Sequence, residues 1–266
     1  MLDAGFAKET KEAIWGAFNS AATDANHIRN DVFVYYDLYE FGTTSIQPSY
    51  NVGTGFQIDS NRRSSPNSHN AAVYQQFYKV RDGYVGSQIF VTPSYFISLM
   101  LPYQTIVLNK GYHTPIAGLT NGELTGVLYV NENPIPETKE TWFSDRINYS
   151  EKDSRQISFM SQRTLEGADK NTALQFANNA LMTNKIVKEL GTLAREYLFE
   201  YNDAITLANI RKTLNVYISN YVAARVLQYA VIDVQKNPFS EEAIDISINI
   251  KYTGTIEVIS IDLTIE

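Results

Sequence analysis

Three histidines, His27, His69 and His113, are the residues of this 266-residue chain best suited to acid–base or metal chemistry. None stands at the HxxxH or HExxH spacing that puts two imidazoles on one helix face, so no zinc site is expected. The chain has no cysteine, which removes disulfides, thiolate metal sites and cysteine nucleophiles. Gly53-Thr54-Gly55 is a glycine-rich fragment without the Gly-Lys-Ser/Thr that would cradle a phosphate. The G-x-S-x-G turn that exposes a hydrolase serine does not occur. The pair Glu241-Glu242 reads as a solvated face, and His113, in a Pro/Gly loop, as a packing or capping residue. The expectation is therefore no catalytic residue, no metal, no cofactor and no enzyme.

Hydrophobic residues make up 44% of the chain, enough to bury the core of one large or two ordinary domains. The net charge is −7 and the pI about 5.1, a poor balance for wrapping nucleic acid, which rewards clustered Lys and Arg. No run approaches the roughly 18 apolar residues that span a bilayer, and the first residues carry Asp3, Lys8, Glu9 and Lys11 in place of a signal peptide's apolar core. Neither nucleic acid nor direct membrane insertion is expected. Tyrosine is frequent, at 18 residues, and its apolar ring with a polar tip suits wet protein interfaces as well as ordinary cores.

These features sit on a mixed set of elements. Residues 7–25 carry Ile14, Ala17, Phe18 and Ala21 at helical spacing. Asp31 to Tyr39 is β-branched and aromatic, a strand, and 42–68 is a long loop rich in Gly, Ser, Asn and Pro. Ala71 to Val80 fits helix or strand. Gln88 to Thr92 reads as a short buried strand, Ser94 to Leu101 as a helix started by Pro93, and Asn109 to Gly118 as a fixed loop. Leu124 to Asn131 and Gln156 to Met160 read as strands, and Glu137 to Phe143 as a short helix. From about residue 168 the pattern turns helical. Ala173 to Phe199 carries Ile186, Leu190, Leu193 and Tyr197 on one face, Asn202-Asp203 recaps the chain, and Leu207, Ile210, Leu214, Tyr217 and Tyr221 define a second amphipathic helix.

The tail is β. Tyr229 to Val234 ends at Asn237-Pro238, and Ile244, Ile246, Ile248 and Ile250 then alternate with Asp245, Ser247, Asn249 and Lys251. After Gly254, Ile256 and Val258 keep one parity while Ile259, Ile261, Leu263 and Ile265 take the other, which implies a bulge or break. This last strand either folds back on 243–252 or offers its free edge to another chain. The fold class expected is α+β or α/β: a layered middle domain with a mixed sheet over 1–165, then a smaller helix-pair plus β-strand domain over 166–266.

Several pieces, in order, resemble the contractile tail sheath family of phages and related injection machines. They are Asp31-Val32-Phe33-Val34-Tyr35-Tyr36-Asp37; Ser68-His69-Asn70-Ala71-Ala72-Val73-Tyr74 with Phe77-Tyr78-Lys79-Val80; Thr92-Pro93-Ser94; the loop Asn109 to Gly118; Arg146-Ile147-Asn148; Gln162-Arg163-Thr164-Leu165; and Phe199-Glu200-Tyr201-Asn202-Asp203. No piece is specific alone; the order over nearly the whole chain carries the likeness. The chain begins just before the family's middle domain, so a piece without the N-terminal arm is expected.

The resemblance implies a structural subunit that polymerises as stacked hexameric rings around a tail tube and contracts to drive the tube through a bacterial envelope. Its partners would be other copies of itself and the tube protein, with baseplate and tail terminator as further contacts. Its place would be the virion tail, assembled in the host cytoplasm. The middle domain would be a subtilisin-like α/β layer, and the closing strand, with Ile256, Val258, Ile259, Ile261, Leu263 and Ile265, would be donated to a neighbour. Lys185, Lys188, Arg211 and Lys212, charges of the helix pair, would face the tube. The competing expectation is another tail or baseplate module that docks by the same strand.

Overall fold

The computed structural model describes residues 33–37, 40–41, 48–49, 68–84, 86–166 and 172–254. The expected helix over 7–25, most of the loop over 42–68 and the closing strand over 256–265 lie outside the described residues. The chain separates into two compact units, Met1–Lys185 and Ile186–Glu266. The division falls within a helix, past the 165/166 boundary read from the sequence.

The first unit is built on a parallel sheet of β1 (Val34–Asp37), β4 (Ala71–Tyr74) and β8 (Ile147–Asn148), in the order β1-β4-β8. Parallel neighbours need long crossovers, which is why β8 follows β4 only after more than 70 residues. Both faces are covered. Tyr35, Ala72 and Tyr74 enter one apolar cluster with Tyr78, Phe96, Ile97 and Phe159; Val34, Tyr36, Ala71 and Val73 enter another with Leu165. A strand buried on two sides has no reason to alternate, so Ala71 to Val80 gave no clear period. It holds two strands, β4 and β5 (Tyr78–Arg81).

β5 is the centre of an antiparallel sheet between β6 (Gln88–Val91) and β7 (Val127–Val130). The expectation of a buried strand at 88–92 needs correction. β6 is an outer strand of this sheet; Gln88 and Ile89 are exposed and only Val91 is buried. Helix α1 (Pro93–Pro102) starts on its proline and continues as a wider turn over Tyr103–Val107. A four-residue helix, α2 (Gly118–Asn121), follows the loop, and α3 (Pro136–Ser144) precedes β8. β9 (Ser150–Lys152) pairs antiparallel with β10 (Ile157–Phe159). All three residues of β10 are buried, so its polar Ser158 marks no wet face. Glu40–Phe41 (β2) and Pro48–Ser49 (β3) form a further short pairing.

Helix α4 (Ala177–Arg195) begins in the first unit, where Ala177 and Ala180 join the larger cluster, and ends in the second. In the second unit α5 (Ala204–Ala223) buries Ile210, Leu214 and Ile218, the i, i+4, i+8 stripe of a one-faced helix. It packs on β11 (Leu227–Lys236), which pairs antiparallel with β12 (Ile244–Tyr252) from Leu227–Tyr252 to Lys236–Ile244. The alternation expected at 244–250 is present, but its isoleucines are half-buried rather than buried.

Candidate assembly surfaces

The pieces that carry chemical groups in the first unit are spent on holding strands in place. Asp37 ends β1 and is 2% exposed. Its carboxylate accepts the Ser94 backbone N–H at 3.1 Å and the Ser94 hydroxyl at 2.5 Å, so it sits at the positive N-terminus of α1. Thr92 lies 3.1 Å from the same hydroxyl. Ser94 is buried as well. A nucleophile must reach its substrate, and this hydroxyl is enclosed, so the pair fastens α1 to the sheet.

Gln76 is fully buried at φ +91°, a backbone region that side chains other than glycine rarely adopt. Its amide accepts from the Ser150 N–H at 2.6 Å and the Ser150 hydroxyl at 2.9 Å, and donates to the Glu132 carbonyl at 2.7 Å and the Ser150 carbonyl at 2.9 Å. The Tyr78 hydroxyl donates to Ser150 Oγ at 3.0 Å, and burial pushes its pKa well above the ordinary phenol value. Asn148 does for β4 and β8 what Gln76 does for β9. Its Nδ2 donates to the Val73 and Arg163 carbonyls at 3.0 and 2.7 Å, and its Oδ1 accepts from the Arg163 N–H and from Ser161. The Arg163 guanidinium lies over the Phe143 ring at 4.5 Å and the Phe176 ring at 4.7 Å, two cation–π contacts. Leu165 donates its N–H to the Ala71 carbonyl at 2.9 Å.

His113 sits in the loop after α1. Asn178 of α4 donates to its carbonyl at 2.8 Å. Burial, and then the charge of Lys185, lower its imidazole pKa below 6.5. Among the described residues no three His, Asp or Glu side chains come together as metal ligands, and no helix is long and apolar enough to cross a membrane.

The second unit presents a different kind of surface. β11 and β12 form a two-stranded ribbon, and among the described residues neither has a partner on its outer edge. The ribbon's outward face shows Tyr229 and Val231, and β12 runs straight into the closing segment through Thr253-Gly254. At the far end of the ribbon, Asn202 Nδ2 donates to the Glu241 carbonyl at 2.6 Å, which joins the loop before α5 to the turn between the strands. Asp203 caps α5 by accepting the Thr206 N–H at 2.8 Å, and that bond holds its carboxyl below the usual range. Phe199, in the same loop, has φ +71° and points wholly into solvent.

The predicted charge set is divided. Lys185 belongs to the first unit, half-buried, with its Nζ 5.8 Å from the centre of the Tyr112 ring. Lys188 and Lys212 are exposed in the second unit. Arg211 is fastened to β11, donating to Asp233 Oδ1 at 2.9 Å and the Val234 carbonyl at 2.8 Å. The predicted strand residues 256–265 lie outside the described part. Phe199 and Tyr201 entered the sequence reading only as part of the Phe199–Asp203 piece; that they and Phe239 stand exposed at one end was not read, and the signal available was aromatic residues beside Asn-Asp and Asn-Pro turns.

No family model and no curated protein matches this chain. Solved structures do. The helical sheath of the anti-feeding prophage in its contracted state superposes with a TM-score of 0.72 at 16% identity, covering 99% of this chain and 69% of that one. The chain has the fold of a contractile sheath subunit. A chain of the anti-feeding prophage baseplate, six-fold symmetrised, gives a TM-score of 0.70 at 15% identity, covering 96% of this chain and 65% of that one. The PVC sheath complex of an extracellular contractile injection system, also contracted, gives 0.66 at 16%, covering 87% and 63%. The chain therefore spans 63–69% of these sheath and baseplate chains, under two thirds for two of the three. The structure mixes helices with several small sheets, the α+β architecture read from the sequence.

Proposed function

We propose that this chain is a structural, non-enzymatic subunit of a contractile sheath. It would assemble with copies of itself as stacked hexameric rings around a tube and contract to drive the tube through a bacterial envelope. The observation that carries this reading is the match to a contracted helical sheath over 99% of the chain. The enclosure of Asp37, Ser94 and Gln76 in strand-holding bonds supports it, since these polar groups are already committed to the fold.

Linkage between copies would come from the closing segment, with Ile256, Val258, Ile259, Ile261, Leu263 and Ile265 donated to a neighbour's sheet. The outer edges of β11 and β12 are of the right kind to receive such a strand. Each backbone bond gained adds about 0.5–1.5 kcal/mol net, and the buried apolar face adds about 25 cal/mol per Å². A tether of several such bonds survives while rigid units rotate past one another. The work of contraction then comes from a metastable extended packing, and no nucleotide enters. Lys185, Lys188, Arg211 and Lys212 are proposed to face the tube. Replacing the four with Glu should release the tube in a co-sedimentation assay, and undiminished binding would end that part of the proposal.

Electron microscopy tests the whole. The full-length protein should form striated tubes, and removal of 256–266 should abolish them. A full-length protein that stays monomeric in every condition would refute self-assembly. The likeness to a baseplate chain would then favour the second reading, a baseplate module docking by the same strand.

A further inference from the structure

The second unit has two chemically opposite ends. Helix α5 has 20 residues and so sets these ends about 30 Å apart. At its start, the loop before the helix and the turn between β11 and β12 are joined by Asn202. Four apolar side chains stand in solvent there: Phe199, Tyr201, Ile205 and Phe239, with relative exposures of 105%, 84%, 72% and 95%. Segments 195–206 and 236–245 hold six carboxylates (Glu196, Glu200, Asp203, Glu241, Glu242 and Asp245) against two cations, Arg195 and Lys236. The end is thus an aromatic cluster in an acidic frame. Exposed aromatics grouped in this way mark protein contact surfaces.

The other end carries the complement. Arg225 follows α5 at φ +62°, exposed, with its N–H bonded to the Val222 carbonyl at 3.0 Å. Lys251 of β12 is the cross-strand partner of Tyr229, so the two project from the same face of the ribbon. Lys251 is exposed, and so are Tyr229 at 46% and Val231 at 58%. Among the described residues, Glu189 accepts from the Tyr221 hydroxyl near this end at 3.1 Å.

We propose that the aromatic, acidic end of one copy docks on the basic, Tyr229-bearing end of the next. This is a head-to-tail contact between second units, and it rests on the self-assembly proposed above. The occupant is a second copy because both halves of the match are present on one unit, facing opposite ways. A heterologous contact of this kind repeats from copy to copy and builds a ring or a helix, where a two-fold contact would stop at a dimer.

The chain lacks cysteine, so introduced thiols report without background. The full-length double variant Ser240→Cys/Gln228→Cys, at exposed positions beside Phe239 and Tyr229 that leave Phe199 and Lys251 in place, oxidised and run without reductant, should give disulfide ladders several-fold faster than the control Tyr84→Cys/Gln228→Cys. Tyr84 is 99% exposed, in the first unit. Adding Glu200→Lys and Glu241→Lys should slow the coupling, and Arg225→Glu on top should restore it. An amine crosslinker run in parallel measures self-association itself. If it captures oligomers while the 240–228 pair couples no faster than the control, self-assembly stands and this contact is wrong. If Ser240→Cys alone couples as fast as the double variant, the contact is like-to-like and the proposal fails. If cytochrome c, a generic basic surface, competes as well as the unmodified chain, the occupant is not a second copy. If the amine crosslinker captures nothing, the self-assembly reading falls with it.

Discussion

At the scale of single residues, the chain uses its polar groups in two ways. Inside the first unit they are consumed. The sequence singled out Thr92-Pro93-Ser94, Arg146-Ile147-Asn148 and Gln162-Arg163-Thr164-Leu165 by likeness alone; the structure supplies their physical reason, since Ser94 holds Asp37, Asn148 clamps the Val73 and Arg163 carbonyls, and Arg163 lies between two phenylalanine rings. In the second unit a costly residue is left in the open. Phe199 occupies the left-handed region, at about 1–2 kcal/mol for a residue with a Cβ. Glycine avoids that cost and returns about half of the gain through its looser unfolded chain. Phe199→Gly should therefore raise the stability of the chain by up to about 1 kcal/mol in urea denaturation, while weakening the head-to-tail contact, read as fewer oligomers captured by the amine crosslinker. A variant that is both less stable and unimpaired in coupling would mean that Phe199 serves packing instead.

At the scale of elements, strands with one wet face were legible and strands with two buried faces were not. Ile244 to Lys251 announced its period; Ala71 to Tyr74, buried on both sides, had none to announce. The outer position of β6 was hidden because the short apolar run Ile89-Phe90-Val91 does not say whether its strand has one neighbour or two. Helix α5 was legible from its stripe and its Asp203 cap. The loop Asn109 to Gly118 was legible from its glycines and prolines, and its His113 lends it a pH response. Burial first, then Lys185, lowers the folded imidazole's pKa below 6.5, so the unfolded chain binds the proton more readily. The contribution is complete above pH 6.5 and is lost as pH falls through the lower folded value. The urea midpoint should drop between pH 7.5 and pH 5.5, and His113→Asn should flatten part of that drop. An unchanged slope would assign the response to other groups.

At the scale of the molecule, the chain divides into two units, and helix α4 begins in the first and ends in the second. Leu214 is fully buried in the second unit. Leu214→Ala should cost about 2–5 kcal/mol there. Hydrogen exchange followed by mass spectrometry should show faster exchange across 186–252, with β1, β4 and β8 still protected. Equal acceleration in both units would mean that they unfold as one. The parallel sheet has a further consequence, in time. Its first strand is complete at Asp37, yet the cluster that covers it also needs Phe159, Ala177 and Ala180. At about 5–20 residues per second on the ribosome, roughly 7–30 s pass between the synthesis of β1 and that of the last residue able to cover it. During that interval one of the most apolar stretches of the chain stands ready to pair with the same stretch on a neighbouring nascent chain. If the chain assembles as proposed, it meets its own kind soonest in that window, before any ordered contact between finished copies exists.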